Sequence, residues 1–164
     1  MIEVIKADLA DFETVNSLAR RVWGPTYKHI LSEPQLEYMF DMMYSSKSYN
    51  EQITIKNHHF LLVKDGEEFL GFASYELNYR FETTKVHKLY ILPEAQGKGV
   101  GRILMNRIIM LAKKHQNDKI TLNVNRYNTA VKFYEGLGFV KIGEEDIDIG
   151  NGYLMEDFIM QLVF

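Results

Sequence analysis

The feature that most constrains this chain is a glycine-rich turn between a β-prone run and a long helical pattern. The apolar run over residues 89–92 ends at Pro93, and three glycines follow before a helical pattern over residues 103–115. The first N–H groups of a helix have no intrahelical partner, and the helix dipole favours an anion there. Glycine lets the backbone approach a ligand and adopt a positive φ. This order of elements therefore predicts a site for a phosphate-bearing ligand.

The residues of the turn discriminate between phosphate ligands. A nucleotide-binding P-loop would end in Gly-Lys-Ser or Gly-Lys-Thr, and a dinucleotide-binding turn would read G-x-G-x-x-G, and neither pattern is present. The turn instead reads Gln-x-x-Gly-x-Gly, with Gln96, Gly99 and Gly101 at the fixed positions. Lys98 and Arg102 add positive charge beside the glycines. On this stretch alone, an ordinary strand-to-helix turn is the alternative interpretation.

The composition indicates one globular domain spanning residues 1–164. A chain of this length can bury a core of its own, and 46% apolar with 25% charged residues is ordinary for such a domain. The absence of cysteine excludes disulfides, thiolate nucleophiles and cysteine-based metal sites. A net charge of −3 argues against a nucleic-acid partner. Without an apolar run of membrane length or a leader, we expect a cytoplasmic protein without a membrane partner.

Hydrophobic periodicity predicts helices and strands along the whole chain. Helices are expected at 12–22, 34–44, 49–56, 103–115 and 129–137, and strands at 2–6, 59–64, 69–79, 83–91, 119–124, 140–149 and 153–163. We expect Trp23-Gly24-Pro25 to end the first helix, and Ser48 with Glu51 to form a capping box for the third. The helix between strands 83–91 and 119–124 lets those strands run parallel. The predicted fold class is a mixed α/β sheet, mostly antiparallel with one parallel pair, flanked by helices.

A second motif lies downstream, over residues 128–139. It reads Asn-Thr-Ala-Val-Lys-Phe-Tyr-Glu-Gly-Leu-Gly-Phe, which taken alone is an amphipathic helix that stops at a glycine. Together with Gln96-x-x-Gly99-x-Gly101 upstream, it resembles the paired motifs of the GCN5-related N-acetyltransferase (GNAT) superfamily. Tyr27, residues 38–44 and the tail 146–160 further resemble the PaiA-type polyamine acetyltransferases within that superfamily. The resemblance covers the chain in element order and implies the GNAT acyltransferase fold.

The resemblance implies an activity and a cofactor. It implies transfer of acetyl from acetyl-CoA to a primary amine of a small molecule, spermidine or spermine among them, in a ternary complex without a metal. Main-chain groups of the strand before the turn would hold the pantetheine arm, and those of the turn the diphosphate. The cofactor-binding residues implied are Leu89, Tyr90, Ile91, Gln96, Gly97, Lys98, Gly99, Val100, Gly101, Arg102 and Asn128.

The resemblance also implies a general acid, Tyr134, which would protonate the departing CoA thiolate. A phenol with an ordinary pKa of about 10 stays protonated at pH 7, so it can donate. The alternative is a core tyrosine on an apolar helix face. For the general base, relatives place a carboxylate where this chain has His87 or Asn123. An amide cannot accept the proton, whereas a histidine can, so His87 is the first candidate and Glu76 and Glu82 the others; the alternative for His87 is packing.

The acceptor side and the wider function stay open at this stage. Tyr27, Tyr38 and Glu82 are the expected substrate-binding residues, because aromatic rings and a carboxylate suit a cationic amine. Alternatives to a small amine are an N-terminal or lysine residue of a protein, and alternatives to catalysis are a CoA-binding regulatory module. The resemblance also admits a homodimer, for which the Met-rich helix 34–44 is a candidate interface.

Overall fold

All seven strands of the protein join one sheet. The computed structural model describes all 164 residues, Met1–Phe164, and the strand order is β1-β2-β3-β4-β5-β7-β6. The strands are β1 (Ile2–Ala7), β2 (His59–Asp65), β3 (Glu68–Arg80), β4 (Thr83–Ile91), β5 (Lys119–Asn125), β6 (Val140–Gly150) and β7 (Tyr153–Val163). The helices are α1 (Phe12–Tyr27), α2 (Glu33–Tyr44), α3 (Ser46–Thr54), α4 (Val100–Lys114) and α5 (Ala130–Gly136). The predicted fold class is confirmed.

The only parallel pair of the sheet is β4 with β5, as the crossover through α4 predicts. The pairing runs from Thr83 opposite Lys119 to Val86 opposite Leu122 and then stops. Both strands continue beyond this point, β4 to Ile91 and β5 to Asn125. They therefore separate at their carboxyl ends and leave an opening in the middle of the sheet, which is where the site described below lies.

The first helix does not end where Trp23-Gly24-Pro25 predicted, and it runs on to Tyr27. Proline inside a helix costs about 3 kcal/mol because it removes a hydrogen bond and crowds the preceding turn. Here the rings of Trp23 and Tyr27 are buried, with Trp23 packed against Tyr27, Phe40 and Tyr44. Burial of aromatic side chains at this helix end offsets the local penalty, which a prediction from sequence propensity did not include.

Two other helix starts differ from the prediction. The cap of α3 is Ser45, whose Oγ accepts from the Ser48 N–H at 3.1 Å, so the expected capping box at Ser48 was wrong. Helix α4 begins at Val100, inside the glycine-rich turn, three residues earlier than the apolar pattern indicated. The glycines at the start of α4 carry no hydrophobic signal, which is why the pattern missed its first turn. None of the five helices is both long and apolar enough to cross a bilayer.

Candidate active site

A cleft of about 1210 Å³ opens where β4 and β5 separate. The ends of both strands, the start of α4 and the helix α5 form its walls, and α1 and β7 close it from the sides. Of the residues expected from the sequence, the cleft is lined by Tyr27, His87, Leu89, Tyr90, Ile91, Gln96, Gly97, Gly99, Val100, Gly101, Arg102, Asn128 and Tyr134. Three expected residues, Tyr38, Glu82 and Lys98, do not line it.

The main chain at the end of β4 has free hydrogen-bonding groups that face the cleft. The Leu92 N–H donates to the Leu70 carbonyl of β3 at 2.8 Å, and hydrogen bonding alternates along an antiparallel pair. The main-chain groups of Leu89 and Ile91 therefore point away from β3, towards the opening. The Ile91 carbonyl accepts from Gln96 Nε2 at 3.0 Å, so Gln96 ties the turn to the strand. Leu89 and the Ile91 N–H remain available to a ligand that lies along β4 like an added strand.

The turn after β4 presents six backbone N–H groups with no acceptor in the protein, those of residues 97–102. The first paired amide is that of Ile103, which donates to the Gly99 carbonyl at 3.1 Å. Gly97 and Gly99 have φ of +77° and +80°, a conformation that favours glycine. A Cβ on either glycine would meet no protein atom within 4 Å, so the space in front of the amides is open. Unpaired amides at the start of a helix fit a diphosphate.

The third glycine of the turn serves a different purpose. A Cβ on Gly101 would lie 2.9 Å from Cζ of Phe133, so this glycine lets α4 pack against the side chain of α5. Asn128 also supports α5, because its Oδ1 accepts from the Ala130 N–H at 2.9 Å. Lys98 and Arg102 form no ion pair within the protein, so both cations are available to a phosphate near the turn. The two sequence motifs thus meet across the cleft.

Tyr134 projects from α5 into the cleft. Its ring packs between those of Phe133 and Phe139, and its side chain is buried. Its hydroxyl has no hydrogen-bond partner in the protein, and it is not sealed from the cleft. Burial, and secondarily the nearby Tyr27, raises the pKa of Tyr134 above its ordinary value. The phenol therefore keeps its proton at neutral pH and can donate it into the cleft.

Tyr27, Tyr38 and Glu82 do not come together. The Tyr27 hydroxyl lies 3.0 Å from that of Tyr90, inside the cleft. The Tyr38 hydroxyl donates to the Ile149 carbonyl at 2.8 Å, so Tyr38 anchors the β6–β7 hairpin instead. Glu82 is in the turn between β3 and β4, at the end of β4 opposite to the cleft, with φ of +49°. These two positions do not support the expected substrate contacts.

A bulge in β4 decides where His87 lies. Ser74 pairs with Lys88 while Tyr75 pairs with Val86, so His87 is an extra residue on its strand. Its Nε2 lies 2.9 Å from Oε1 of Glu76 on β3. The His58 ring stacks on the His87 ring with centroids 3.8 Å apart, and His58 Nε2 is 3.7 Å from the same carboxylate oxygen. The result is a compact histidine–glutamate cluster, of which His58 and His87 line the cleft and Glu76 does not.

The surroundings of this cluster are basic. Burial, followed by the charges of His58 and Lys88, lowers the pKa of His87 to about 2. Burial also lowers the pKa of Lys88 to about 7, and its Nζ donates to Gln52 Oε1 at 2.8 Å. At neutral pH His87 is thus neutral, and the tautomer with its proton on Nε2 is the one that can donate to an ionised Glu76. His58, Glu76 and His87 are near enough to share a cation, but the adjacent lysines oppose its charge, and we assign no metal there.

Asp157 of β7 is a titratable cleft residue to which the sequence analysis gave no role. The residue is 2% exposed, and its carboxylate accepts from Asn123 Nδ2 at 3.3 Å. The pair is 34 residues apart in sequence, and only the antiparallel pairing of β5 with β7 brings it together. A carboxylate next to the apolar run of residues 158–160 was the available signal.

Known proteins with similar sequences are acetyltransferases. The family described as the acetyltransferase (GNAT) domain matches residues 28–156. The spermidine N(1)-acetyltransferase of Thermoplasma acidophilum is 30% identical over 160 residues, covering 94% of this chain and 96% of that protein. The peptidyl-lysine N-acetyltransferase YjaB of Salmonella typhimurium is 36% identical over 73 residues, covering 43% of this chain and 47% of that protein.

Solved structures with the same fold carry similar names. The crystal structure of the PaiA N-acetyltransferase from Thermoplasma acidophilum in complex with coenzyme A superposes with a TM-score of 0.80 at 25% identity, covering 100% of this chain and 99% of that one. The ribosomal-protein-S18-alanine N-acetyltransferase from Escherichia coli superposes with a TM-score of 0.73 at 18% identity, covering 99% and 94%. The second likeness concerns the fold alone.

Proposed function

Because this chain belongs to the acetyltransferase (GNAT) family and is an acetyl-CoA-dependent N-acetyltransferase, we propose that it acetylates a primary amine of a small molecule. The amine attacks directly in a ternary complex. Spermidine is the first candidate acceptor, since the Thermoplasma acidophilum relative named for that substrate matches nearly the whole chain. The relative named as a peptidyl-lysine N-acetyltransferase matches less than half of the chain, which makes a protein lysine the second candidate.

The observation that carries the proposal is the run of six unpaired amides at residues 97–102 beside the opening between β4 and β5. These amides, with the free cations of Lys98 and Arg102, would hold the diphosphate of acetyl-CoA. Main-chain groups of Leu89 and Ile91 would hold the pantetheine arm, with Tyr90 between them. Bound in this way, acetyl-CoA supplies an acetyl thioester for the amine nitrogen to attack.

Tyr134 is the proposed general acid. Its hydroxyl is free of protein partners and stays protonated, so it can give a proton to the sulfur as the carbon–sulfur bond breaks. Asn128 contributes by accepting a hydrogen bond from the Ala130 N–H at the start of α5, and so supports the helix that carries Tyr134. We place the acceptor amine against the rings of Tyr27 and Tyr90, which lie side by side in the cleft and can contact a cation through their faces.

His87 is the proton acceptor proposed from the sequence, and it does line the cleft. Its lowered pKa makes it a weak base, and its Nε2 is already engaged with Glu76. We propose that His87, held by its contact with Glu76, shapes the wall of the cleft and does not take the proton of the amine.

The proposal is tested by release of free CoA thiol from acetyl-CoA across a panel of acceptors. The panel holds spermidine, spermine, 1,4-diaminobutane, a lysine-containing peptide and a peptide with a free N-terminal alanine. We expect kcat/KM for at least one small amine to exceed that for both peptides by about tenfold or more. A peptide that exceeds every small amine would contradict the proposed substrate class. Tight acetyl-CoA binding by calorimetry with no thiol release on any acceptor would indicate a non-catalytic module instead.

A further inference from the structure

We propose that Asp157 is a catalytic residue, which binds the acceptor ammonium group and takes its proton. The inference rests on the proposed function, because it concerns the amine side of the same cleft. It also bears on the missing general base, because this chain has Asn123 at a position where relatives have a carboxylate. In this protein that asparagine holds the Asp157 carboxylate of the neighbouring strand instead.

The placement of Asp157 leaves one carboxylate oxygen free in the cleft. Asn123 Nδ2 donates to Oδ2 at 3.3 Å. Oδ1 has no hydrogen-bond partner in the protein, and it is not sealed from the cleft that Asp157 lines. A buried carboxylate with a single neutral donor is poorly compensated, so a cation placed at Oδ1 gains a strong charge-assisted hydrogen bond.

The nearby cations do not satisfy this carboxylate. Arg126 directs its guanidinium to Asp146 and Glu144, and its Nε reaches only the main-chain carbonyl of Asp157 at 3.4 Å. Lys85 of β4 acts on Asp157 through its charge but makes no hydrogen bond to it. An incoming ammonium group therefore does not have to displace an existing ion pair.

Asp157 lines the same cleft as Tyr27, Tyr90 and Tyr134. The Tyr27 hydroxyl lies 3.0 Å from that of Tyr90. Burial raises the pKa of Tyr27 of α1, and the charge of the Asp157 carboxylate raises it further. An amine on the Tyr27 ring would therefore share the cleft with both the proposed acid and the proposed base.

The charge distribution of the cleft directs a cation to Asp157. Lys56, Lys85 and Lys88 line the cleft around the two histidines, and their charges repel an ammonium group there. The charged groups that act on the pKa of Asp157 are Glu145 of β6, Arg126 after β5 and Lys85 of β4, and the Asp157 charge in turn acts on Tyr27 of α1. Burial, reinforced by Glu145, raises the pKa of Asp157, which makes it a better proton acceptor than an exposed aspartate.

The proton balance of the reaction is simple. Asp157 takes one proton from R–NH3⁺, and the resulting amine nitrogen forms a bond to the acetyl carbon of the thioester. As the carbon–sulfur bond breaks, Tyr134 gives its proton to sulfur and regains one from the new amide nitrogen. Asp157 then releases its proton to solvent, so each turnover yields the amide, CoA thiol and one H⁺.

The test compares Asp157→Asn with Glu145→Gln. Both residues accept from the same Asn123 amide, but Glu145 is exposed and does not line the cleft, so it is the matched control. With the panel's best amine, we expect kcat/KM to fall by about 100-fold or more in Asp157→Asn and by less than about tenfold in Glu145→Gln, which removes one charge that raises the pKa of Asp157 but leaves the accepting carboxylate in place. The acid limb of the kcat/KM profile should disappear in Asp157→Asn and persist in His87→Gln.

Two readouts that do not depend on turnover keep the test decisive. Calorimetry should give the same acetyl-CoA affinity for Asp157→Asn and the unmodified protein. Absence of binding in both would defeat the proposed function itself, whereas binding and equal turnover in both would defeat this inference alone. In the unmodified protein bound to CoA, the ¹³C signal of the Asp157 carboxyl should titrate above the ordinary aspartate range, and spermidine should lower that midpoint. The assignment of Asp157 would be overturned if neither spermidine nor the best amine changed the midpoint of its carboxyl titration. It would also be overturned if the acid limb of the kcat/KM profile disappeared only in His87→Gln.

Discussion

The two halves of the cleft are built on different principles. On the cofactor side, a continuous stretch from Leu89 to Arg102 offers mainly main-chain groups, to which Lys98 and Arg102 add two cations. On the acceptor side, the polar groups are side chains from β3, β4, β5 and β7, held together by strand pairing and a bulge. A main-chain site depends on backbone conformation, whereas a side-chain site depends on the charge and identity of each residue.

This difference has a consequence for substitutions. On the cofactor side, acetyl-CoA binding should be lost when a glycine of the turn gains a side chain. On the acceptor side, turnover should be lost when a side chain that gives or takes a proton is replaced by one that cannot. Binding of acetyl-CoA and its turnover should therefore be separable by single substitutions on the two sides of the cleft.

The largest effect is expected for Gly99→Val on the cofactor side. The residue has φ of +80°, which strains a β-branched side chain, and its Cβ would occupy the open space in front of the amides. We expect acetyl-CoA affinity, measured by calorimetry, to fall by about 100-fold or more. The matched control is Gly152→Val in the β6–β7 turn, where φ is +78° and a Cβ is equally free of contacts. Equal affinities in both variants would break the assignment of the turn.

A smaller effect, on turnover alone, is expected for Tyr134→Phe. The change removes one hydroxyl and leaves the ring packed between Phe133 and Phe139. We expect kcat to fall by about 100-fold while acetyl-CoA affinity changes by less than about twofold. Tyr153→Phe, which removes a hydroxyl outside the cleft, serves as the control. A raised KM with unchanged kcat would assign Tyr134 to binding, and would contradict the separation of cofactor binding from turnover between the two halves.

The smallest effect concerns stability and sharpens the picture of the acceptor wall. Because burial lowers the pKa of Lys88 to about 7, the unfolded chain binds one more proton than the folded chain between pH 7 and the ordinary lysine range. Stability should therefore rise with pH across that window, by roughly 2–4 kcal/mol, through this group. Urea unfolding at pH 7 and pH 10 should show a smaller rise in Lys88→Met than in Lys114→Met, which alters an exposed lysine. Identical pH dependences would show that Lys88 is not desolvated.

The backbone arrangement of the cofactor half follows from the sequence because its information is local. The strand, the glycines and the helix start are adjacent in the chain, so their spacing carries their geometry. Even so, two details depended on tertiary contacts. Gly101 is required by the Phe133 ring of α5, and Gln96 is held by the Ile91 carbonyl.

The acceptor half is largely invisible to the sequence because its partners are far apart along the chain. The bulge that adds His87 to β4 follows from pairing with β3, and the Asn123–Asp157 contact follows from pairing with β7. Tyr38 and Glu82 were reasonable candidates by residue type, but hairpin packing and strand direction carry them away from the cleft. Contacts between distant residues also explain why α1 runs to Tyr27. Packing of Trp23 stabilises this helix end although Pro25 lies inside it.

The central claim is that the amides of residues 97–102 hold the diphosphate of acetyl-CoA and thereby direct its thioester to Tyr134. A crystal structure of the protein with CoA tests it most directly. We expect diphosphate oxygens at about 2.7–3.2 Å from several of these amide nitrogens, with the CoA sulfur within hydrogen-bonding reach of the Tyr134 hydroxyl. Well-ordered CoA whose diphosphate lies away from the turn, or whose sulfur lies away from Tyr134, would contradict the account.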